Sequence, residues 1–141
     1  MCIGSDRVTG DCLGPYVGYR LSQHQLPGIF VYGTLSQPVH AVKSVRYNGL
    51  YFKEPSVCPV IAIDASLGDE RHLGYVTNTE TVLFTQVRLF RKICRLWGSI
   101  YITGIVNIAG ILEYLTLQTT RLSTVITLAD TIAQGILGNF I

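Results

Sequence analysis

The fold of this chain is constrained most strongly by a continuously apolar run of four residues, Val60–Ile63. Pro59 precedes this run and Asp64 follows it, so its limits are clear. A short apolar run without alternation is typical of a strand that is covered on both faces of its sheet. Other short apolar segments predict further strands, at Met1–Ile3, Ile29–Tyr32, Gly74–Thr77 and Ile100–Val106.

Segments of helical period separate these strands. From Leu13 onward, apolar residues recur three and four positions apart, and Pro15 falls in the first turn, where a helix tolerates proline. Helices are also predicted for Val39–Tyr51 and for much of the chain from Ile111 onward. Short buried strands alternating with helices predict an α/β fold, a three-layer α/β/α sandwich around a mainly parallel central sheet.

Size and charge exclude several classes of protein. The 141 residues, 48% of them hydrophobic, predict a single domain over 1–141. A net charge of +2 does not favour a nucleic-acid partner. The longest apolar stretch, Ile100–Leu112, is shorter than the roughly 18–20 residues that span a bilayer, so no membrane association is expected. No leader is recognised at Met1 and the four cysteines form no CxxC pair, which favours a cytoplasmic location with buried, reduced thiols.

Two acidic residues lie where the strands of such a sheet end. Asp11 lies in the loop between the first predicted strand and its helix, and Asp64 directly follows the strand Val60–Ile63. Ligands and reactive groups of open α/β sheets collect beyond the carboxyl ends of the strands. Either acid could instead only cap a helix. The position makes Asp11 and Asp64 the candidate working pair.

Several ordered blocks of the sequence resemble one family. They are CIGSDRVTGDCLGP (residues 2–15), VYGTL (31–35) with PVHA (38–41), IAIDA (61–65) with LG (67–68), ITGIVN (102–107), EY (113–114), LQ (117–118) and TRLS (120–123). These blocks resemble the YyaC-type sporulation protein family. That family is similar to the spore germination protease and, more distantly, to hydrogenase maturation peptidases, which implies a phosphorylase/hydrolase-like fold.

The resemblance implies a peptidase of sporulating cells that uses an aspartate pair and no cofactor. The catalytic acids of the germination protease match Asp11 and Asp64. The implied substrate is a small protein or peptide, with the small acid-soluble spore proteins as the candidates; the oligomeric state is left open. Residues predicted to bind substrate are Gly4, Asp6, Arg7, Thr9, Gly10, Gly14, His40 and Asn107.

Two closely spaced acids suit peptide hydrolysis, since repulsion keeps one protonated while the other is ionised. The ionised acid can activate water and the protonated acid can donate to the leaving amine. Two alternatives stay open. One is a non-catalytic factor that binds a peptide or partner. The other is a metal-dependent maturation peptidase with Asp11, Asp64 and His40 as ligands.

The sequence departs from the family in two places. Residues before the first motif are few, so Met1–Ile3 is expected to be a truncated strand, too short to pair properly. Residues 78–99 replace a glycine- and proline-rich loop with a pattern that at face value predicts a basic amphipathic helix, with apolar residues such as Leu83 and Trp97 on one face. A shift of one base in suitable codons gives a peptide like the family's loop, so the alternative hypothesis is a frameshifted segment.

Overall fold

The computed structural model describes residues 1–40, 60–81, 87–89, 92–94 and 99–140. Its helices are α1 (Leu13–Ser22), α2 (Glu113–Gln118) and α3 (Leu122–Phe140). Its strands are β1 (Ile61–Gly68), β2 (Val76–Thr81), β3 (Val87–Leu89), β4 (Lys92–Cys94) and β5 (Ser99–Ile108). Short 3₁₀ turns precede α1 and follow β1, at Gly10–Cys12 and Glu70–His72.

The main sheet is mixed and has the order β1-β5-β2. Strands β1 and β5 are parallel, with Ile61 opposite Ile100 and Ala65 opposite Gly104. Strand β2 joins β5 on its other side and is antiparallel to it. The predicted strands at 60–63, 74–77 and 100–106 are therefore present, but each is longer than predicted or displaced along the chain.

Residues Met1–Ile3 extend this sheet beyond β1, contrary to the expectation that so short a segment cannot pair. Cys2 forms a parallel bridge with Ile63, and Ile3 forms one with Val39 on the opposite side. The Met1 ammonium group donates to the Ile61 carbonyl at 2.7 Å. Because hydrogen bonds are made on both sides, this segment is an interior member of the sheet despite its length.

Two segments differ from the predicted secondary structure. Residues 29–32 are not a strand, although the Tyr32 carbonyl accepts a hydrogen bond from Cys2 N–H at 2.7 Å. The described parts of 78–99 are extended, as the end of β2 and the antiparallel β3–β4 pair, so the helical interpretation is wrong there. The frameshift hypothesis stays a prediction. The helix predicted at 39–51 lies almost wholly outside the described residues.

Helices α1 and α3 pack side by side on one face of the sheet. Leu13 of α1 and Leu128 of α3 both lie over Gly104 of β5, in the space that a side chain at that position would occupy. Arg20 and Asp130 link the two helices by an ion pair of 3.2 Å. One helical layer is thus established, and the three-layer sandwich stays a prediction.

The hydrophobic core lies between this helical layer and the sheet. Its fully buried members include Cys2, Leu13, Val17, Ile63 and Val125. Cys2 and Cys12 are buried free thiols, as predicted for the cysteines. Within the described ranges, no helix is long and apolar enough to cross a membrane.

Candidate active site

The loop that follows Met1–Ile3 folds Asp11 back over the end of that segment. The Ser5 N–H donates to the main-chain carbonyl of Asp11 at 3.1 Å. Gly4 has a φ of 144° and its α-carbon lies against the same carbonyl, so that a side chain would collide with it. A backbone conformation of this kind is one that glycine adopts without penalty. Gly4 therefore fixes where Asp11 lies.

Asp64 lies within β1 and not after it, which corrects the sequence prediction. Pairing with β5 continues beyond Asp64 as far as Gly68. On the opposite side, however, the last hydrogen bond runs from Ile3 N–H to the Ile63 carbonyl, at 2.8 Å. Asp64 is thus the first residue of β1 beyond the end of the neighbouring segment Met1–Ile3. The carboxyl end of a strand is where the sequence argument expected the acids.

Burial and the neighbouring acid change the titration of Asp64. Burial is the main cause that raises the pKa of Asp64 to about 7, and the Asp11 carboxylate raises it further. The Ala65 N–H, which donates to Asp64 Oδ1 at 2.8 Å, acts in the opposite direction. A shift of this size in a carboxyl group is characteristic of functional sites, although structural networks also produce it.

The pKa of Asp11 is also raised, but the charge of a neighbouring residue opposes the shift. Burial raises the pKa of Asp11, while the charge of His40 and the backbone N–H of Ser5 lower it. The two carboxyl groups therefore interact, and the proton is held more strongly by Asp64. The structure brings together three of the predicted site residues, Asp11, Asp64 and His40.

Three other predicted residues lie on the loop before Asp11. Asp6 and Arg7 are exposed and Thr9 is half-buried. The Thr9 carbonyl accepts from Cys12 Sγ at 3.1 Å, and the main-chain N–H of Arg7 donates to Ser5 Oγ at 3.2 Å. These contacts order the loop, and a substrate contact by Asp6, Arg7 or Thr9 stays a prediction.

The predicted glycines are packed against the protein's own atoms. Gly14 lies against the main chain of Ile3, and a side chain there would collide with it. A β-carbon at Gly10 would lie 2.8 Å from Leu117 Cδ2 and 2.9 Å from Thr120 Oγ1. Close internal packing accounts for both glycines, so their predicted approach to substrate has no support from their surroundings.

Asn107 joins β5 to the helices that follow it. Its Nδ2 donates to the Thr116 carbonyl at 3.2 Å and to Thr120 Oγ1 at 3.1 Å, and its Oδ1 accepts from Ile108 N–H at 2.8 Å. Both ends of the amide are thus engaged within the protein. The structure favours a partly buried polar contact for Asn107 over the predicted binding of substrate.

Cys12 is a neighbour of the acid pair that the sequence did not single out. Burial raises the pKa of the Cys12 thiol, and the charge of Asp11 raises it further. A neutral, hydrogen-bonded thiol is unreactive. Its adjacency to Asp11 in sequence was the available signal, but adjacency alone does not distinguish a site residue from a core residue.

The described residues do not assemble a metal site. No group of three or more His, Cys, Asp or Glu side chains within them could hold a metal ion. His40 acts electrostatically on Asp11 and Asp11 on Asp64, but these side chains do not form such a set.

Comparison with known proteins gives the chain's family. Residues 1–135 match the family described as "Protein of unknown function (DUF1256)". The chain belongs to this family. It is 42% identical over 139 residues to "Uncharacterized protein YyaC" of Bacillus subtilis (strain 168), an alignment that covers 96% of this chain and 66% of that protein. No solved structure matches the chain. The similarity to YyaC confirms the YyaC-type assignment made from the ordered motifs.

Proposed function

We propose that this DUF1256 protein is a peptidase in which Asp11 and Asp64 hydrolyse a peptide bond of a small protein. The observation that carries the proposal is the raised pKa of Asp64, about 7, beside a second acid. At neutral pH this arrangement favours one protonated and one ionised carboxyl group, which general acid–base hydrolysis requires.

The chemistry divides between the two acids. Asp11, whose pKa is less strongly raised, takes a proton from water, whose oxygen bonds to the carbonyl carbon of the substrate. Asp64 gives its proton to the amine nitrogen as the carbon–nitrogen bond breaks. The products are a carboxylic acid and an amine, and the proton taken by Asp11 returns Asp64 to its starting state through solvent.

Resemblance of the loop at 4–15 and of Ile63–Ala65 to the germination protease supports small acid-soluble spore proteins as the substrate class. The same resemblance supports a role in the cytoplasm of the sporulating cell or forespore, and a three-layer α/β/α fold. Fold and motif likeness alone set an expectation about chemistry, so the site itself has to be tested.

The test is cleavage of purified small acid-soluble spore proteins and of a mixed peptide library, with new termini identified by mass spectrometry. We expect Asp11→Asn and Asp64→Asn to lose about 10²- to 10⁴-fold in rate, as removal of a general acid or base does. Asp69→Asn is the matched control, because Asp69 is exposed and pairs with Arg71 at 3.0 Å. Equal cleavage by all four proteins would rule out the acid pair.

A second candidate, a non-catalytic protein that binds an apolar segment of a protein partner, is favoured by the surface beside the Asp11 turn. Large apolar side chains are exposed where β5 leads into α2; these are Ile108, Ile111, Leu112, Tyr114 and Leu115. Helix α2 also packs against Gly10, next to Asp11. Clustered exposed apolar residues are typical of interaction sites.

Ile111→Glu and Asp64→Asn separate the two functions. A binding protein loses its affinity for the peptide in Ile111→Glu and keeps it in Asp64→Asn, with no cleavage in any variant. Thr131→Glu on the exposed surface of α3 is the control for the added charge. Isothermal titration with the same spore proteins measures both affinities.

A further inference from the structure

Three segments of the main chain meet beside Gly4. On one side, Gly4 N–H donates to the Val39 carbonyl at 3.0 Å. On the other, Ile3 N–H donates to the Ile63 carbonyl at 2.8 Å. The next residue after each of these two acceptors is titratable, so the backbone brings two titratable residues to the same end of the N-terminal segment.

Those residues are His40 and Asp64, and Asp11 reaches the same place from the turn before α1. Its carbonyl is held by Ser5 N–H at 3.1 Å. Among the described residues, the charge of His40 acts on Asp11, and the Asp11 carboxylate acts on Asp64. Asp11 and the exposed Asp6 also act on the neighbouring Cys12 thiol. Of these groups, His40 is the one whose charge favours the ionised form of Asp11.

We propose, building on the peptidase function above, that His40 is a positioning residue that keeps the negative charge on Asp11 and so leaves the proton of the acid pair on Asp64. Burial already raises the pKa of Asp64 most and so favours the proton there, and the charge of His40 on the Asp11 side adds to that preference. With His40 on the Asp11 side, the roles of base and acid are fixed before substrate binds.

The physical basis is charge pairing in a partly buried site. A histidine is cationic over the acidic range in which carboxyl groups ionise. Opposite charge within a few ångströms favours the ionised carboxylate. Once Asp11 is ionised, its charge opposes ionisation of Asp64, so the effect of His40 on one acid strengthens the difference between the two.

The experiment follows the carboxyl ¹³C shifts of aspartate against pH in the full chain, for the wild type, His40→Gln, His40→Lys and His24→Gln. The two interacting acids titrate as a coupled pair with a lower and an upper step. We expect His40→Gln to move the lower step to higher pH and to narrow the gap between the steps. His40→Lys restores a positive charge and moves the lower step back towards the wild-type position.

His24→Gln is the matched control, because His24 is exposed just after α1. Circular dichroism verifies that each variant is folded. Identical lower steps in His40→Gln, His40→Lys and the wild type would overturn the inference. A lower step that moves equally in His24→Gln would also overturn it, since the shift would then not depend on the place of His40.

Activity gives a second reading that separates this inference from the proposed function. If the protein cleaves peptides, the acid limb of its pH–rate profile moves to higher pH in His40→Gln, together with the lower titration step. Absence of cleavage by the wild type contradicts the peptidase while the titrations still decide the role of His40. Cleavage abolished by Asp11→Asn but with an unchanged profile in His40→Gln contradicts only the role of His40.

Discussion

Asp64 of β1 and Asp11 of the turn before α1 interact although they are 53 positions apart in the 141-residue chain. Burial is the larger cause of the raised pKa of Asp64, and the Asp11 carboxylate is the second. The two causes can be separated experimentally, because a substitution at Asp11 removes the charge and leaves the burial in place.

Asp11→Asn is therefore expected to lower the pKa of Asp64 without returning it to the usual range of an aspartate. Loss of the neighbouring charge removes the second cause only. Carboxyl ¹³C shifts against pH measure the change, with Asp6→Asn as the control, because Asp6 is exposed and carries the same charge on the same loop. An unchanged Asp64 titration in Asp11→Asn would show that the acids do not interact.

Stability should fall as pH rises through the interval in which Asp64 holds its proton only in the folded state. The folded pKa is about 7, above the value of about 3.9 for an unfolded aspartate. The folded protein therefore binds more protons between these values, and its free energy of unfolding decreases across them. Above about pH 7 this contribution is constant.

Asp64→Asn removes the free-energy cost of ionising this buried carboxyl group, and it keeps an oxygen that accepts the hydrogen bond from Ala65 N–H. We expect the variant to match the wild type near pH 4 and to be more stable above pH 7, by on the order of 4 kcal/mol. Urea unfolding at both pH values measures it, with Asp69→Asn as the control. A variant less stable than the wild type at high pH would contradict an unfavourable buried charge at Asp64.

Asn107→Ala should destabilise the fold without specifically weakening substrate binding. The substitution removes the amide that joins β5 to Thr116 and Thr120. Loss of partly buried hydrogen bonds costs about 1–3 kcal/mol. Thermal and urea unfolding measure the loss, and Asn139→Ala, at an exposed position of α3, is the matched control. A normal melting temperature combined with a raised KM would assign Asn107 to substrate binding instead.

Gly14→Ala should disrupt the contact between α1 and the N-terminal segment. A β-carbon at Gly14 collides with the backbone of Ile3, which cannot move without breaking its hydrogen bonds in the sheet. Overpacking of this kind costs about 1–3 kcal/mol or more. Gly110→Ala is the control, because a β-carbon there meets no atom within 4 Å. Equal stability of the two variants would show that the N-terminal segment is displaced easily.

Much of the α/β character could be predicted from the sequence. The apolar run at Val60–Ile63 and the helical spacing after Leu13 both correspond to elements in the structure, β1 and α1. Both predictions depend on local pattern, which burial of one strand or one helix face imposes on the sequence. The place of Asp64 inside β1 was missed, because pairing with β5 continues past the polar residue.

The residues 78–99 show the limit of local pattern. Apolar and basic residues there fit a helical period, yet β2, β3 and β4 are extended. Strand pairing supplies hydrogen bonds from residues that are distant in the chain. Thr79 of β2, for example, lies opposite Tyr101 of β5, and the local spacing of apolar residues does not indicate such pairing.

The sequence by itself determined the candidate acids, the strand and the helix beside which they were expected to lie, and the motifs of the family. Only the tertiary structure decided that His40 acts on Asp11 and Asp11 on Asp64, and that Gly10, Gly14 and Asn107 make close contacts within the protein. The physical reason is that charge interactions and desolvation depend on distance and burial in space. Residues far apart in the chain acquire these only when the sheet pairs Met1–Ile3 with β1 on one side and with Val39 on the other.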